Sequence, residues 1–280
     1  MNRLFHLAKK QALNAQLQSL LLSLFVLLAT ASQAAEHPRV ALIIDDMGNQ
    51  LDRGLRAVML PGAISYAFLP HTPYVSILAE LAHSKNKQVM LHQPLESHGG
   101  NKLGPGGLTL HHNRESFRQV LQENIAVIPH IQGVNNHMGS LMTRHPGAMQ
   151  WLMDVLGDAG LFFIDSRTTE KSVAYGVAQE RRIATAGRDI FLDHDRDVET
   201  IRQQFKKLLQ IAKIRGHAIG IGHPYPETLQ VLEEELPKLS KQGFDLVLAS
   251  ELTKIEFNRH LWRVTSLPLP TVVKNTKQAP

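Results

Sequence analysis

The chain has 280 residues, no cysteine and a formal charge of +5. Without disulfide staples the fold must rest on its own core, which a chain of this length can build as one large domain. Arg3, Lys9 and Lys10 carry three of the charges and Lys274 and Lys277 the remaining +2, so the part between is close to neutral apart from its histidines, and nothing in it supports a nucleic-acid partner.

The amino terminus has the make-up of a targeting segment. The three basic residues precede the apolar run Leu20-Leu-Leu-Ser-Leu-Phe-Val-Leu-Leu-Ala29, and Ser32-Gln-Ala34 offers small residues for cleavage. The run is shorter than the roughly twenty apolar residues of a comfortable membrane span. Residues 1–34 are therefore predicted to be a signal peptide, with an uncleaved signal anchor as the alternative and no other membrane span expected. Residues 35–265 are expected to fold in the periplasm, and 266–280, rich in Pro and Thr, to be disordered.

Apolar strand-like runs recur at 40–44, 63–69, 88–91, 133–136, 161–164, 189–192, 217–221 and 244–248. Helical patterns lie between most of them. Over 74–83, Val75, Leu78, Ala79 and Ala82 share one face, and Phe117, Val120, Leu121 and Ile125 repeat the spacing. Further helices are predicted over 146–156, 198–213 and 226–239. Strands alternating with helices imply a parallel α/β sheet. About eight such units let it close into a barrel, with a doubly wound open sheet as the alternative. The connection over 95–113 contains Gly99-Gly-Asn-Lys-Leu-Gly-Pro-Gly-Gly107, too rich in glycine for a packed element and long enough for a functional loop.

The polar residues that end these runs carry the chemistry. Val40, Ala41, Leu42, Ile43 and Ile44 show no alternation, as in a strand buried on both faces, yet the run stops on Asp45 and Asp46. Adjacent carboxylates repel, and the pair is most easily tolerated where a cation or a shared proton offsets it; the plainer reading is that Asp45 caps a turn. Later runs lead into His92 and Glu96, His137, Asp165 and His223. Parallel strands put all of these on one rim, where such folds keep their active sites. Taken singly, a histidine after a strand is usually a hydrogen-bonded structural group, the reading given to His71, His111, His112, His130 and His145. Converging, Asp46, His92 and His137 are the expected ligands of one divalent ion, zinc first, with cobalt, nickel or manganese as alternatives. Three protein ligands leave a position open for water and substrate. Asp45 beside them is placed to take a proton from water, and His223 to protonate a leaving group or stabilise an oxyanion. Glu96 is either a fourth ligand or a group orienting His92, and Asp165 is a further candidate for either role.

Five motifs, Ile43-Ile-Asp-Asp-Met-Gly48, Leu91-His-Gln-Pro-Leu-Glu96, Asn135-Asn-His-Met-Gly-Ser140, Phe163-Ile-Asp-Ser-Arg-Thr168 and Gly220-Ile-Gly-His-Pro224, together resemble the divergent polysaccharide deacetylase family of bacterial envelope proteins. The resemblance runs from about Arg39 to about Leu252. It implies a distorted (β/α) barrel of seven or eight parallel strands and a metal-dependent, carbohydrate-esterase-like site that hydrolyses acetyl groups on a glycan. It also implies that Asp45 is the general base, Asp46 a metal ligand and His223 the acid. Asn136, Ser166, Arg167 and Tyr225, within or beside the motifs, are expected to bind substrate. One position departs from the mainstream pattern: a His-x-x-x-His pair is here His92-x-x-x-Glu96, with His137 as the replacement imidazole. A remodelled site of this kind admits a second function, a catalytically inactive glycan-binding or envelope-regulatory protein that keeps the fold. A third, a metal-dependent phosphoesterase, has only Arg144 and Arg167 to hold phosphate.

Overall fold

The computed structural model describes residues 37–265; the predicted signal peptide and carboxyl-terminal tail lie outside the described residues. Strands and helices alternate in the order β1 (Arg39–Met47), α1 (Leu51–Val58), β2 (Ser65–Phe68), α2 (Val75–Ser84), β3 (Gln88–Leu95), α3 (Arg114–Ala126), β4 (Ile131–Met138), α4 (Pro146–Asp158), β5 (Phe162–Asp165), α5 (Ala174–Glu180), β6 (Thr185–Gly187), β7 (Ile190–Phe191), α6 (Val198–Arg215), β8 (His217–Gly222), α7 (Pro226–Glu235), β9 (Asp245–Val247) and α8 (Ala249–Thr265). Every strand pairing is parallel. The sheet order is β6-β5-β4-β3-β2-β1-β8-β7, with β9 beside the first half of β1. Among the described residues no helix is long and apolar enough to cross a membrane.

Two cores separate on the strand period. Alternate residues of β1 (Val40, Leu42, Ile44) face the helices with Val89, Leu91, Val134 and Phe163. The intervening ones (Ala41, Ile43) face an inner cluster with Ala67, Met90, Phe162, Ile164, Ala186, Ile219 and Ile221. Ala186 belongs to β6 and Phe191, packed on the same cluster, to β7, the two ends of the sheet order. Edges that share one interior require a curled sheet, a distorted barrel and not a doubly wound open one. Only Arg188 and Asp189 separate β6 from β7, and they straddle the seam: Arg188 N donates to Asp165 O at 3.0 Å and Asp189 N to Ile219 O at 2.9 Å. The base of the barrel is plugged by the start of α8. Its first amides donate to Ser65 Oγ and to Gln88 Oε1, both at 3.1 Å, and Ala249 and Leu252 enter the inner cluster.

The predicted helices form with small shifts of boundary. The one expected over 226–239 ends at Glu235 because Pro237 lacks the amide hydrogen and its ring obstructs the preceding turn, leaving a single 3-10 turn, Leu236–Lys238. Asn113 and Asp197 accept from backbone amides as the caps of α3 and α6. The long connection after β3 is anchored: Leu108 bridges Leu95, and Glu96 N donates to Leu108 O at 3.0 Å.

A close approach inside the barrel gives a test. Gly133 of β4 pairs with Phe162 of β5, and a Cβ at Gly133 would stand 2.3 Å from the Phe162 ring. Gly133→Val is expected to displace that ring and destabilise the fold by about 1–3 kcal/mol. A urea unfolding midpoint unchanged from the parent would refute this packing.

Candidate metal centre

The inner face of the barrel changes from apolar to polar at one height. On five strands a polar residue stands two positions beyond the last apolar inward one: Asp45 after Ile43, His92 after Met90, Ser166 after Ile164, Asp193 after Phe191 and His223 after Ile221. On β4 the inward positions after Gly133 are Asn135 and His137. A period of two places all of them on the same side of the sheet. Alternation alone would point Asp46 outward. Its φ of 55° and the register shift between Ile44 and Met47 turn the chain, bringing its carboxylate to the rim. Aspartate is among the few residues that adopt this left-handed conformation with any frequency.

The turn completes a tight triangle. Asp46 Oδ1 lies 3.0 Å from His137 Nδ1 and 3.2 Å from His92 Nε2, and the two imidazole nitrogens are 3.1 Å apart. Despite these neighbours, Asp46 Oδ1 is a buried oxygen without an aligned hydrogen-bond donor. Asp46 Oδ1, His92 Nε2 and His137 Nδ1 can each offer a lone pair toward one shared point. A triangle of this size admits one ion at the roughly 2.0–2.2 Å typical of zinc with imidazole and carboxylate ligands. Burial opposes the ionisation of Asp46, but the imidazoles of His137 and His92 outweigh it and hold the carboxyl well below the usual range. For His92 burial opposes the charged form, yet the Asp45 and Asp46 carboxylates prevail and raise its pKa.

Two further groups flank the triangle. Asp45, 2% exposed, places Oδ2 3.6 Å from His92 Nε2 and receives Asn135 Nδ2 on Oδ1 at 2.8 Å. Burial pushes its carboxyl above the ordinary range, against the lowering influence of His92, His223 and Asn135. On the other side His223 Nε2 is 3.9 Å from Asp46 Oδ2. Its Nδ1 donates to Asp193 Oδ1 at 2.9 Å and its backbone amide to Asp193 Oδ2 at 2.6 Å, while Thr228 donates to the same carboxylate. Burial would depress the His223 pKa, but the hydrogen bond and charge of Asp193 lift it to about 9. An acid protonated at neutral pH therefore stands across the triangle from a carboxylate.

Of the other residues singled out in the sequence, Ser166 and Tyr225 adjoin these groups and the rest lie elsewhere. Asp165 falls on the helix-facing side of β5, in phase with Phe163, and accepts from Arg167 N, Ser172 Oγ and Tyr175 N. It lines a cavity of about 730 Å³ with Arg167, Tyr175 and Arg188 that does not include the triangle. Glu96 accepts from Leu110 N at 2.7 Å, which ties its carboxylate to the glycine-rich connection. Asn136 faces outward, donating to Met138 O and accepting from Ser166 N. Ser166 is buried with Oγ 3.3 Å from Asn135 Nδ2. Tyr225 stacks on His223 with 5.2 Å between ring centroids and borders a pocket of about 170 Å³ that includes Asp46 and Arg53. The two cations considered for phosphate are engaged away from the triangle, Arg144 at His98 and Arg167 at Arg188 O. Of the histidines read as structural, His71 meets Asn124, His130 meets Glu80 and His145 caps α4. Asn135 and Asp193 were not singled out by sequence. Their signal was available in the phase of the strands: each stands two residues after an inward-facing position, as His92 does.

The family model for divergent polysaccharide deacetylases matches residues 42–253. An uncharacterized protein of Haemophilus influenzae is 34% identical over 218 residues, covering 77% of this chain and 78% of its own length. The uncharacterized protein YibQ of Escherichia coli is 32% identical over 228 residues, covering 81% and 71%. Among solved structures, uncharacterized protein ATU2773 of Agrobacterium tumefaciens superposes with a TM-score of 0.76 at 23% identity, over 79% of this chain and 91% of that one, a likeness of fold. With three quarters of its length matched by the family model, the chain belongs to the divergent polysaccharide deacetylase family.

Proposed function

We propose that the protein is a metal-dependent hydrolase that removes acetyl groups from an envelope polysaccharide, peptidoglycan or a related glycan, in the periplasm, with zinc as the ion. The observation that carries this reading is one ligand triangle flanked by a buried carboxylate on one side and a carboxylate-held histidine on the other. Asp46 Oδ1, His92 Nε2 and His137 Nδ1 would hold the ion. A bound divalent cation supplies Lewis-acid polarisation of the acetyl carbonyl and makes water a better nucleophile at neutral pH. The chain's own groups do the rest. Asp45 takes the proton of the attacking water, with Asn135 fixing which carboxylate oxygen is free to do so. His223, its ring held by Asp193, delivers a proton from Nε2 to the departing amine or alcohol. The apolar layer below excludes water, which strengthens each of these interactions.

Acetate release from N-acetylated glycan fragments is expected once zinc or cobalt is supplied. A loaded protein that releases none from any acetylated glycan sinks the hydrolase reading and favours the glycan-binding alternative. His92→Ala and His137→Ala should each lose bound zinc by elemental analysis. Asp45→Asn should retain it while kcat drops about a hundredfold to ten-thousandfold, the usual range for a lost general base.

The pH profile supplies an independent check. His223 acts in its protonated form, and with a pKa of about 9 that form persists through neutrality and is lost as pH rises through that value. Activity should therefore hold through neutrality and fall at alkaline pH as this proton is lost. Asp193→Asn, which removes the charge that raises the pKa, should move this alkaline limb down toward the ordinary histidine value. A limb that stays in place in that variant would detach it from His223.

A further inference from the structure

Asn135 neither ligates nor reacts, yet it touches both halves of the site. It is fully buried on β4, directly across from His92 in the strand register. Its Oδ1 is 2.8 Å from His92 Nδ1, and its Nδ2 is 2.8 Å from Asp45 Oδ1 and 3.3 Å from Ser166 Oγ. A side-chain amide has one accepting end and one donating end, and each contact fixes the other. With Nδ2 donating to the Asp45 carboxylate, only Oδ1 is left for His92. That oxygen accepts, so the neutral imidazole carries its hydrogen on Nδ1 and its lone pair on Nε2. Nε2 is the atom that faces Asp46 Oδ1 and His137 Nδ1. The opposite amide orientation would leave a hydrogen on Nε2, inside the ligand triangle.

We propose that Asn135 is a positioning residue that couples the metal site to the base, selecting with its oxygen the Nε2-ligating tautomer of His92 and orienting Asp45 with its nitrogen. The role deepens, and rests on, the metal-dependent hydrolase reading of the same site. Partners of a ligating imidazole of this kind typically change metal affinity by about tenfold to a hundredfold when lost. A buried amide is also a costly group to place next to an apolar layer unless both ends are matched.

Two substitutions separate the two ends. Asn135→Asp keeps an acceptor toward His92 Nδ1 but sets a carboxylate against Asp45. It should bind zinc within about threefold of the parent while kcat falls about a hundredfold or more. Asn135→Leu, similar in shape and without either end, should weaken zinc binding by about tenfold to a hundredfold as well as lose turnover. Zinc dissociation constants from chelator competition and kcat for acetate release are read on the same full-length preparations, with thermal unfolding to show that each variant is folded. If folded Asn135→Leu binds zinc as the parent does, or Asn135→Asp loses zinc to the same degree as Asn135→Leu, the coupling role is overturned. A merely structural asparagine would not split affinity from turnover between the two variants. Because zinc affinity is read apart from acetate release, a parent protein that binds zinc without turnover removes the hydrolase reading, while the affinity order still decides the tautomer role.

Discussion

The inward phase of the parallel strands is the constraint from which the site follows. β1 and β8 pair without interruption from Arg39 opposite His217 to Ile44 opposite Gly222, so Asp45 and His223 emerge at the same level. β3 and β4 pair His92 with Asn135, so the proposed ligand and the amide that holds its ring are set side by side by backbone hydrogen bonds, before any side chain is considered. A slip of one residue in either pair would send these groups to the helix-facing side, into the layer built by Leu91, Val134 and Phe163. The apolar residues beneath the polar layer fix the phase, because their burial is lost in any other register. Packing in the lower barrel and chemistry at its rim are thus parts of one pattern.

That pattern also determines the electrostatics. Asp45 and Asp46 are neighbours in sequence, yet their carboxyl groups are driven in opposite directions, up by burial for Asp45 and down by two imidazoles for Asp46. Separation of two acids by environment is how one site assigns different roles to the same side chain. The backbone at Asp46 makes the difference, since its φ of 55° turns the carboxylate toward the histidines and leaves Asp45 pointing inward. A non-glycine residue in that region costs on the order of 1–3 kcal/mol unless its surroundings stabilise it. Here the compensation is local, through His92 and His137, and charge and strain are matched at a single residue.

Much of this was legible in the sequence, and the misses have physical causes. Long apolar runs such as 40–44 and 217–221 announce strands because both faces are buried, and each became one. β6 is only Thr185–Gly187, too short and too mixed to register as a run. α1 and α5 are short; Leu51, Leu55 and Val58 do share one face of α1, but eight residues give barely two turns of the pattern, too few to stand out from a loop. At the rim, Asp46, His92 and His137 could be proposed together because each follows a strand. Asp165 follows one too, but lies one residue out of phase, and only the observed alternation of Phe162, Phe163 and Ile164 reveals it. Asn135 was overlooked because an amide carries no chemistry of its own until its partners are known.

The proposed exchange of one ligand shows how far the register governs this site. Glu96 stands four residues after His92, where the mainstream pattern has a second imidazole on the same strand end. Here Glu96 directly follows the last paired residue of β3, Leu95. Leu95 is drawn into a bridge with Leu108, and Glu96 is held through both its amide and its carboxylate by the segment around Leu108 and Leu110. The imidazole proposed to take its place is His137, which pairs with Pro94 across the β3–β4 ladder and reaches back to Asp46 through Nδ1. Two ligands from one loop would keep their spacing if the sheet loosened. Two ligands from adjacent strands keep it only while the ladder between them is intact. In this chain the proposed metal centre is therefore a property of strand pairing, and loss of order in the β3–β4 ladder would open the Asp46–His92–His137 triangle at the same time.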